Sequence, residues 1–250
     1  MTLASIGTAS YNSLQVGVEK RFSHGLQFQS NFTWAKTIDL AGSGNVSFGT
    51  PQVPDPFNIR FNRGISLLNF PYVSVSHLVY TTPELQGHGV LMRELLGAWE
   101  LSGIVTLQSG QPFGISGGNG NNNSGSLQFG DRADVVPGIP LNVHQGGKAQ
   151  WLAHYVNAAA FVTNAPGTFG DSGKNLLRGP GIATSDLAFV KNWKVRESYG
   201  VQFRWELFNA FNHASFATPN NDPTSANFGQ ITSIGPIAPR VMQGALKLSF

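Results

Sequence analysis

The chain has 250 residues, enough for one large domain or two small ones. Charged residues make up 12%, about half the share usual in globular proteins, while 41% hydrophobic residues exclude a disordered polyelectrolyte. The net charge of +3 comes without a basic run, so the sequence predicts no nucleic-acid partner. The absence of cysteine excludes a disulfide framework and a cysteine-ligated metal.

The first residues, "MTLASIGTASYNSLQ", have no basic segment followed by an apolar one, so no signal peptide is predicted. No stretch reaches the roughly 18 consecutive apolar residues that indicate a transmembrane helix. A membrane-spanning β-strand needs only about 9–11 residues, half of them apolar, so crossing by strands stays possible.

A two-residue alternation of apolar and polar side chains predicts a hairpin near the N-terminus. In "YNSLQVGVEKRF" (11–22), Val16 and Val18 fall on the apolar side and Glu19 on the polar side. The pattern repeats in "LQFQSNFTW" (26–34), and Ser23–Gly25 between them predicts a tight turn.

Five more segments alternate in the same way and bring the prediction to seven strands. They cover residues 72–82, 98–108, 185–193, 199–211 and the C-terminal "RVMQGALKLSF" (240–250), and only the facing of 72–82 is ambiguous. We expect one continuous apolar face that includes Val16, Phe28, Leu101, Val105, Phe203, Leu207 and Leu246.

The predicted links alternate between short and long. Residues 37–71, 109–184 and 212–236 form long loops, whereas Ser23–Gly25 and Lys194–Ser198 are short turns. In a meander, alternate links lie at the same end of the sheet, so all three long loops should share one end. Within them, "GGNGNNNSGS" (117–126) predicts a mobile polar tract. A short helix is predicted within 151–161, with apolar side chains that pack inside the loop.

Two architectures fit this alternation: a soluble antiparallel sandwich, or an outer-membrane barrel whose apolar face meets lipid. The barrel explains the aromatic residues near strand ends and the one-sided long loops, because barrels have aromatic girdles, short periplasmic turns and longer extracellular loops. The sequence therefore predicts an all-β fold, an antiparallel transmembrane β-barrel portion of about seven up-and-down strands. Its last strand closes the barrel by pairing with the first. The predicted lumen-facing charges are Glu19, Glu100, Arg204 and Glu206.

Several segments, in this order, resemble the C-terminal region of TonB-dependent outer-membrane receptors. They are "YNSLQVGVEKRFSHGLQFQSNFTWAKTID", "SGQPF", "NAAAFVTNAPGTFGDSGKNLLRGPG", "VQFRWELFNAFNHASF" and "PRVMQGALKLSF". The most similar group, common in acidobacteria, carries an N-terminal carboxypeptidase-regulatory-like domain. The ending "LKLSF" resembles the signal read by the barrel-assembly machinery, with Gly244, Leu246, Leu248 and Phe250 as its residues.

The resemblance implies a location in the cell outer membrane of a Gram-negative bacterium. It also implies import of a scarce ligand such as a siderophore or glycan, driven by a TonB-type energy transducer. Residues 1–250 would form the C-terminal part of the receptor barrel, and neither the plug nor the transducer-binding box of the family is found in them. The alternative function is a soluble or secreted β-rich binding module.

The residues give no sign of enzyme chemistry. The six histidines show no metal-binding spacing, no G-x-S-x-G is present, and the glycine-rich tract lacks the Lys-Ser/Thr of a phosphate loop. We therefore predict no enzyme activity, cofactor or metal. Arg204 and Glu206 fit a charge ladder better than a catalytic pair. Asp55, Arg60 and Arg63 fit loop-anchoring salt bridges better than ligand contacts.

Overall fold

The computed structural model describes residues 7–40, 53–55, 57–118, 120, 122–126, 130–142, 146–196 and 199–250. Its strands are β1 (Ala9–Ser23), β2 (Leu26–Asp39), β3 (Gly64–Ile65), β4 (Tyr72–Thr81), β5 (Trp99–Gln108), β6 (Pro112–Phe113), β7 (Asp134–Val135), β8 (Phe161–Val162), β9 (Leu177–Arg178), β10 (Ile182–Arg196), β11 (Tyr199–Phe208) and β12 (Val241–Ser249). The helices are α1 (Val90–Leu96) and α2 (Lys148–Ala153), and 3-10 turns cover Ile59–Asn62 and Ala158–Ala160.

The seven long strands form a single antiparallel meander, as the alternation predicts. The order across the sheet is β1-β2-β4-β5-β10-β11-β12, and β3 adds to the end of β2. Two small ladders, β6 with β9 and β7 with β8, lie within the long loop that follows β5. The all-β antiparallel fold class is confirmed.

Strand register places the predicted apolar residues on one face. Directly paired residues of antiparallel strands point to the same side. Val16 pairs with Phe32, and Phe203 pairs with Leu246. Following such pairs through every strand puts all seven predicted residues on one side, which we call the apolar face, and their chain neighbours on the polar face.

The facing of β4, ambiguous from sequence, is set by its neighbours. Leu78 pairs with Phe28, and Tyr80 pairs with Leu101, so the even-numbered residues of β4 lie on the apolar face. This choice also brings Ser76 to that face, where its hydroxyl lies 2.7 Å from the hydroxyl of Ser30. The hydrogen bond satisfies two polar groups that would otherwise stand alone among apolar side chains.

No second sheet covers the apolar face within the described residues. Leu14 is 55% exposed and Leu246 is 67% exposed, although both project from regular strands. A sandwich would bury these side chains between two sheets. The sandwich architecture is therefore wrong for this chain.

The buried apolar core lies in the long loops instead of the sheet. It comprises Phe113, Ile115, Ala133, Val156, Ala160, Phe161 and Leu177. Helix α2 begins before the range 151–161 in which a short helix is predicted and overlaps it only at its C-terminal end. The predicted packing inside the loop is seen for Val156, Ala160 and Phe161. Because all strand neighbours are antiparallel and consecutive in the meander, the three long loops share one end of the sheet, also as predicted.

The link between β4 and β5, at the opposite end, holds a helix that the sequence did not predict. Helix α1 has seven residues and lies between Gly89 and Gly97. Among the described residues, no helix is both long and apolar enough to cross a membrane.

Within the part of the chain that the structure describes, the sheet is open. β1 pairs only with β2, and β12 pairs only with β11, so both outer edges keep unpaired backbone groups. The expected closure by pairing of the last strand with the first is therefore not made between the two ends of this sheet.

Candidate functional site

The three long loops pack on one another to form a cap over one end of the sheet. Arg132, in the second long loop, donates from Nη2 to Asn62 Oδ1 at 2.6 Å and from Nη1 to the Phe61 carbonyl at 3.3 Å, both in the first long loop. Its guanidinium also lies 4.7 Å from the centre of the Phe61 ring. Burial lowers the pKa of Arg132 to about 10, so the side chain stays protonated at neutral pH.

Two further cations hold the cap together: one fastens it to a strand, and the other joins two of its loops. Buried Lys174 forms an ion pair with Asp39 at the end of β2. Burial lowers the pKa of Lys174, and the hydrogen bond and charge of Asp39 oppose that shift. Arg178 donates to the carbonyls of Asn69 at 2.9 Å and Gly110 at 2.7 Å, joining the first and second loops.

Among the described residues, the prediction that salt bridges anchor the first long loop is wrong. Asp55, Arg60 and Arg63 form no ion pair with any described residue; Asp55 accepts from its neighbour Phe57, and both arginines are exposed. Asn62 and Asn69 anchor this loop through amide hydrogen bonds instead, for example from the Thr37 N–H to Asn69 Oδ1 at 2.7 Å.

The described residues of the polar tract 117–126 make contacts with the rest of the cap, and the mobility of the tract stays a prediction. The Ser124 N–H and hydroxyl both donate to the carboxylate of Asp131 at 2.7 Å, and Asn123 donates to the Asn164 carbonyl at 2.8 Å. Gly117 lies where an added Cβ would come within 3.0 Å of Asn164 and Asp131. Asn119 and Asn121 lie outside the described residues.

The cap contains a cleft lined by aromatic side chains, which we call the loop cleft. Its larger part has a volume of about 810 Å³ and is lined by Trp151 and Tyr155 of the second loop and by Phe211 and Phe216 of the third. A second part of about 520 Å³ shares Pro180 and Phe216 with the first. It extends to Phe70, so all three long loops contribute.

The aromatic rings of the loop cleft hold one another in place. The Trp151 ring meets Tyr155 and Phe216 edge-on, with centroid distances of 5.1 and 5.6 Å. The Tyr155 hydroxyl donates to the Arg178 carbonyl at 2.8 Å, and burial raises the pKa of Tyr155. Lys148 Nζ lies 5.1 Å from the centre of the Phe216 ring. Apolar ring faces next to one cation suit a ligand with flat apolar surfaces and a polar or anionic group.

Sequence reasoning missed the loop cleft. Trp151 and Tyr155 were expected to pack inside their own loop, and Phe211 was assigned to the end of a strand. The aromatic residues that the second and third loops contribute to the cleft are about sixty positions apart in the chain, and no spacing pattern connects them. The described residues contain no group of three or more His, Asp or Glu side chains that could hold a metal.

The four predicted lumen charges lie on the polar face, but only two of them meet. Arg204 and Glu206 on β11 form an ion pair, and Glu206 also accepts from Gln243 of β12. Glu19 on β1 pairs with Gln29, and Glu100 on β5 pairs with Val190 across the sheet. All four residues therefore share one side of the sheet, but that this side lines a lumen stays a prediction.

The residues of the predicted assembly signal lie along β12 on the apolar face. Gly244, Leu246 and Leu248 pair with Trp205, Phe203 and Val201 of β11. Phe250 follows the end of the strand and is 97% exposed. Their role in assembly stays a prediction.

One comparison with known proteins identifies the family. A model of the outer membrane beta barrel domain family matches residues 1–243, which is nearly the whole chain. Neither the curated proteins nor the solved structures contain a significant match. The soluble or secreted alternative disagrees with this family. The chain therefore belongs to the outer membrane beta barrel domain family and is a protein of the cell outer membrane.

Proposed function

We propose that the chain is the C-terminal part of the barrel of a TonB-dependent receptor that imports a scarce ligand, such as a siderophore or a glycan. The sequence segments that resemble these receptors, from Tyr11 to Phe250, support the receptor type. In this proposal the apolar face meets lipid, the polar face lines the lumen, and the cap of three long loops receives the ligand outside the cell. The chain supplies wall and loops and carries out no catalysis.

The observation that carries the proposal is the combination of an open sheet with a packed cap. The free edges of β1 and β12 would leave backbone N–H and C=O groups unpaired in lipid, which a bilayer does not tolerate. Further strands must therefore pair with both edges in the membrane. In our proposal, those strands, the plug and the transducer-binding segment belong to the rest of the receptor. The barrel-assembly machinery inserts the whole receptor into the outer membrane.

The cap supports a role in ligand capture. Loops that only connect strands would not need a core of their own, yet these bury seven apolar residues and two cations, Arg132 and Lys174. That packing fixes the loop cleft before a ligand arrives, which lowers the entropy cost of binding. The loop cleft is therefore the part of this chain where we expect ligand contact.

A cleft mutation tests this proposal. Trp151→Ala should weaken ligand binding by roughly 30-fold, since truncating a central interface tryptophan typically costs about 2 kcal/mol or more. Cells producing the full receptor would be assayed with ferric siderophores and with labelled oligosaccharides, and uptake would be divided by receptor abundance. Phe57→Ala is the matched control, because Phe57 is an aromatic residue of the first loop that is 99% exposed and outside the loop cleft.

Unchanged uptake in Trp151→Ala would show that the loop cleft does not bind the ligand. If the receptor binds neither class of ligand, the proposal of import is wrong. Ligand uptake that persists without the energy transducer would contradict the TonB-dependent mechanism.

A further inference from the structure

Helix α1 exposes an unusual amount of apolar surface for its size. In the sequence "VLMRELL", the side chains of Leu91, Met92, Leu95 and Leu96 are between 51% and 74% exposed. At about 100° per residue they share one arc of the helix, and Arg93 and Glu94 lie on the other side. A short helix with this pattern in water would be costly, because apolar burial is what stabilises short helices.

Three side chains from the sheet hold the C-terminal half of α1. Trp99 Nε1 donates to the Leu95 carbonyl at 2.7 Å, and Trp193 Nε1 donates to the Glu94 carbonyl at 3.0 Å. Lys191 Nζ donates to the carbonyl of Gly97, the residue that follows the helix. These bonds satisfy carbonyls that a helix end leaves without partners.

Strand register shows from which face of the sheet these three side chains hold α1. Lys191 pairs with Trp99 and Phe203, and Trp193 pairs with Val201, so all three side chains that hold α1 project from the apolar face. Helix α1 therefore lies beside the apolar face, at the end of the sheet opposite the cap.

The position of Lys191 supports this arrangement. A lysine on the apolar face would be expensive in contact with lipid. Here the side chain is only 3% exposed, and its charge lies at a helix C-terminus, where the helix dipole favours a cation. Helix α1 thus covers the one charged side chain at this end of the β10 apolar row.

We propose that α1 is an interfacial membrane anchor: it lies in the plane of the bilayer surface, with its leucines in the acyl region of the periplasmic leaflet. The partner is phospholipid, because α1 exposes apolar side chains beside the apolar face of a sheet that belongs to an outer-membrane barrel family. The two tryptophans on which α1 rests are residues that favour the membrane interface. Arg93 and Glu94 would then lie at the head-group level.

These 250 residues contain no cysteine, so with any cysteine outside them replaced by serine, a single spin label can report where α1 lies. Three variants of the full-length protein, Leu91→Cys, Leu68→Cys and Leu246→Cys, would be labelled and reconstituted in vesicles of phosphatidylethanolamine and phosphatidylglycerol. Leu68 is 76% exposed in the cap and reports water; Leu246 is on the apolar face and reports lipid. The measurement is the ratio of collisions with oxygen to collisions with a water-soluble nickel complex.

We expect the ratio at Leu91→Cys to fall between those at the other two positions, severalfold above Leu68→Cys. A ratio equal to that at Leu68→Cys would place the helix in water and overturn the proposal. A label at position 91 that is immobile and reached by neither reagent would mean that protein covers the helix, and would overturn it as well.

Discussion

Deletion of Phe250 is expected to remove most of the protein from the outer membrane while leaving the uptake of each assembled molecule unchanged. Phe250 is 97% exposed and follows β12, whose outer edge has no partner strand among the described residues. On the apolar face its ring would continue the row of Leu246 and Leu248 toward the lipid–water interface, where aromatic belts anchor barrels. In the proposed receptor, β12 is the strand that pairs last, so it depends most on such an anchor.

The test needs the full receptor with this C-terminus. Outer-membrane abundance and heat-modifiable mobility would be measured together with ligand uptake per assembled molecule, and Phe250→Tyr would serve as the control that keeps an interfacial aromatic ring. Normal abundance with lost uptake would show that Phe250 belongs to a ligand site and not to assembly.

An arginine on the apolar face should lower the stability of the barrel far more than an arginine at the next position of the chain. Val105→Arg is expected to cost roughly 2–4 kcal/mol of barrel stability, the range for arginine near the bilayer midplane. Val105 lies between Ser76 and Ser185 in the interior of the sheet and is 39% exposed, so its side chain points out from the wall.

Thr106→Arg is the matched control. Thr106 lies on the polar face between Val75 and Thr184, in the same strand and at almost the same height. We expect little loss there, because an aqueous lumen accepts a charge. Unfolding by urea in lipid vesicles would measure both variants. Equal losses would mean that the two faces do not differ in their tolerance of charge, and a larger loss for Thr106→Arg would mean that the polar face is the packed side. Either result would contradict the assignment of the faces.

The strands could be predicted from sequence because alternation is a local property. Val201, Phe203 and Trp205 show it within five residues, and register then aligns neighbouring strands without further information. The facing of β4 needed the structure, because both of its sides carry apolar residues: three valines lie on one side, and Leu78 and two tyrosines lie on the other. Pairing of Leu78 with Phe28 decides it.

The loops could not be predicted in the same way. The contact of Arg132 with Asn62 joins residues far apart in the chain, and neither residue stands out in its own segment. Charge attraction suggested salt bridges for Asp55 and the nearby arginines, yet buried asparagine amides anchor that loop. Helix α1 was missed because seven residues between two glycines are too few to show helical periodicity.

The most direct test of the account is the position of the two ends of the sheet on living cells. In the cysteine-free chain, Leu68→Cys places a thiol in the cap and His88→Cys places one in the link that carries α1. A bulky maleimide that cannot cross the outer membrane should label Leu68→Cys on intact cells, and should label His88→Cys only after that membrane is opened. Labelling of His88→Cys on intact cells, with Leu68→Cys protected, would contradict the proposed orientation of strands and loops.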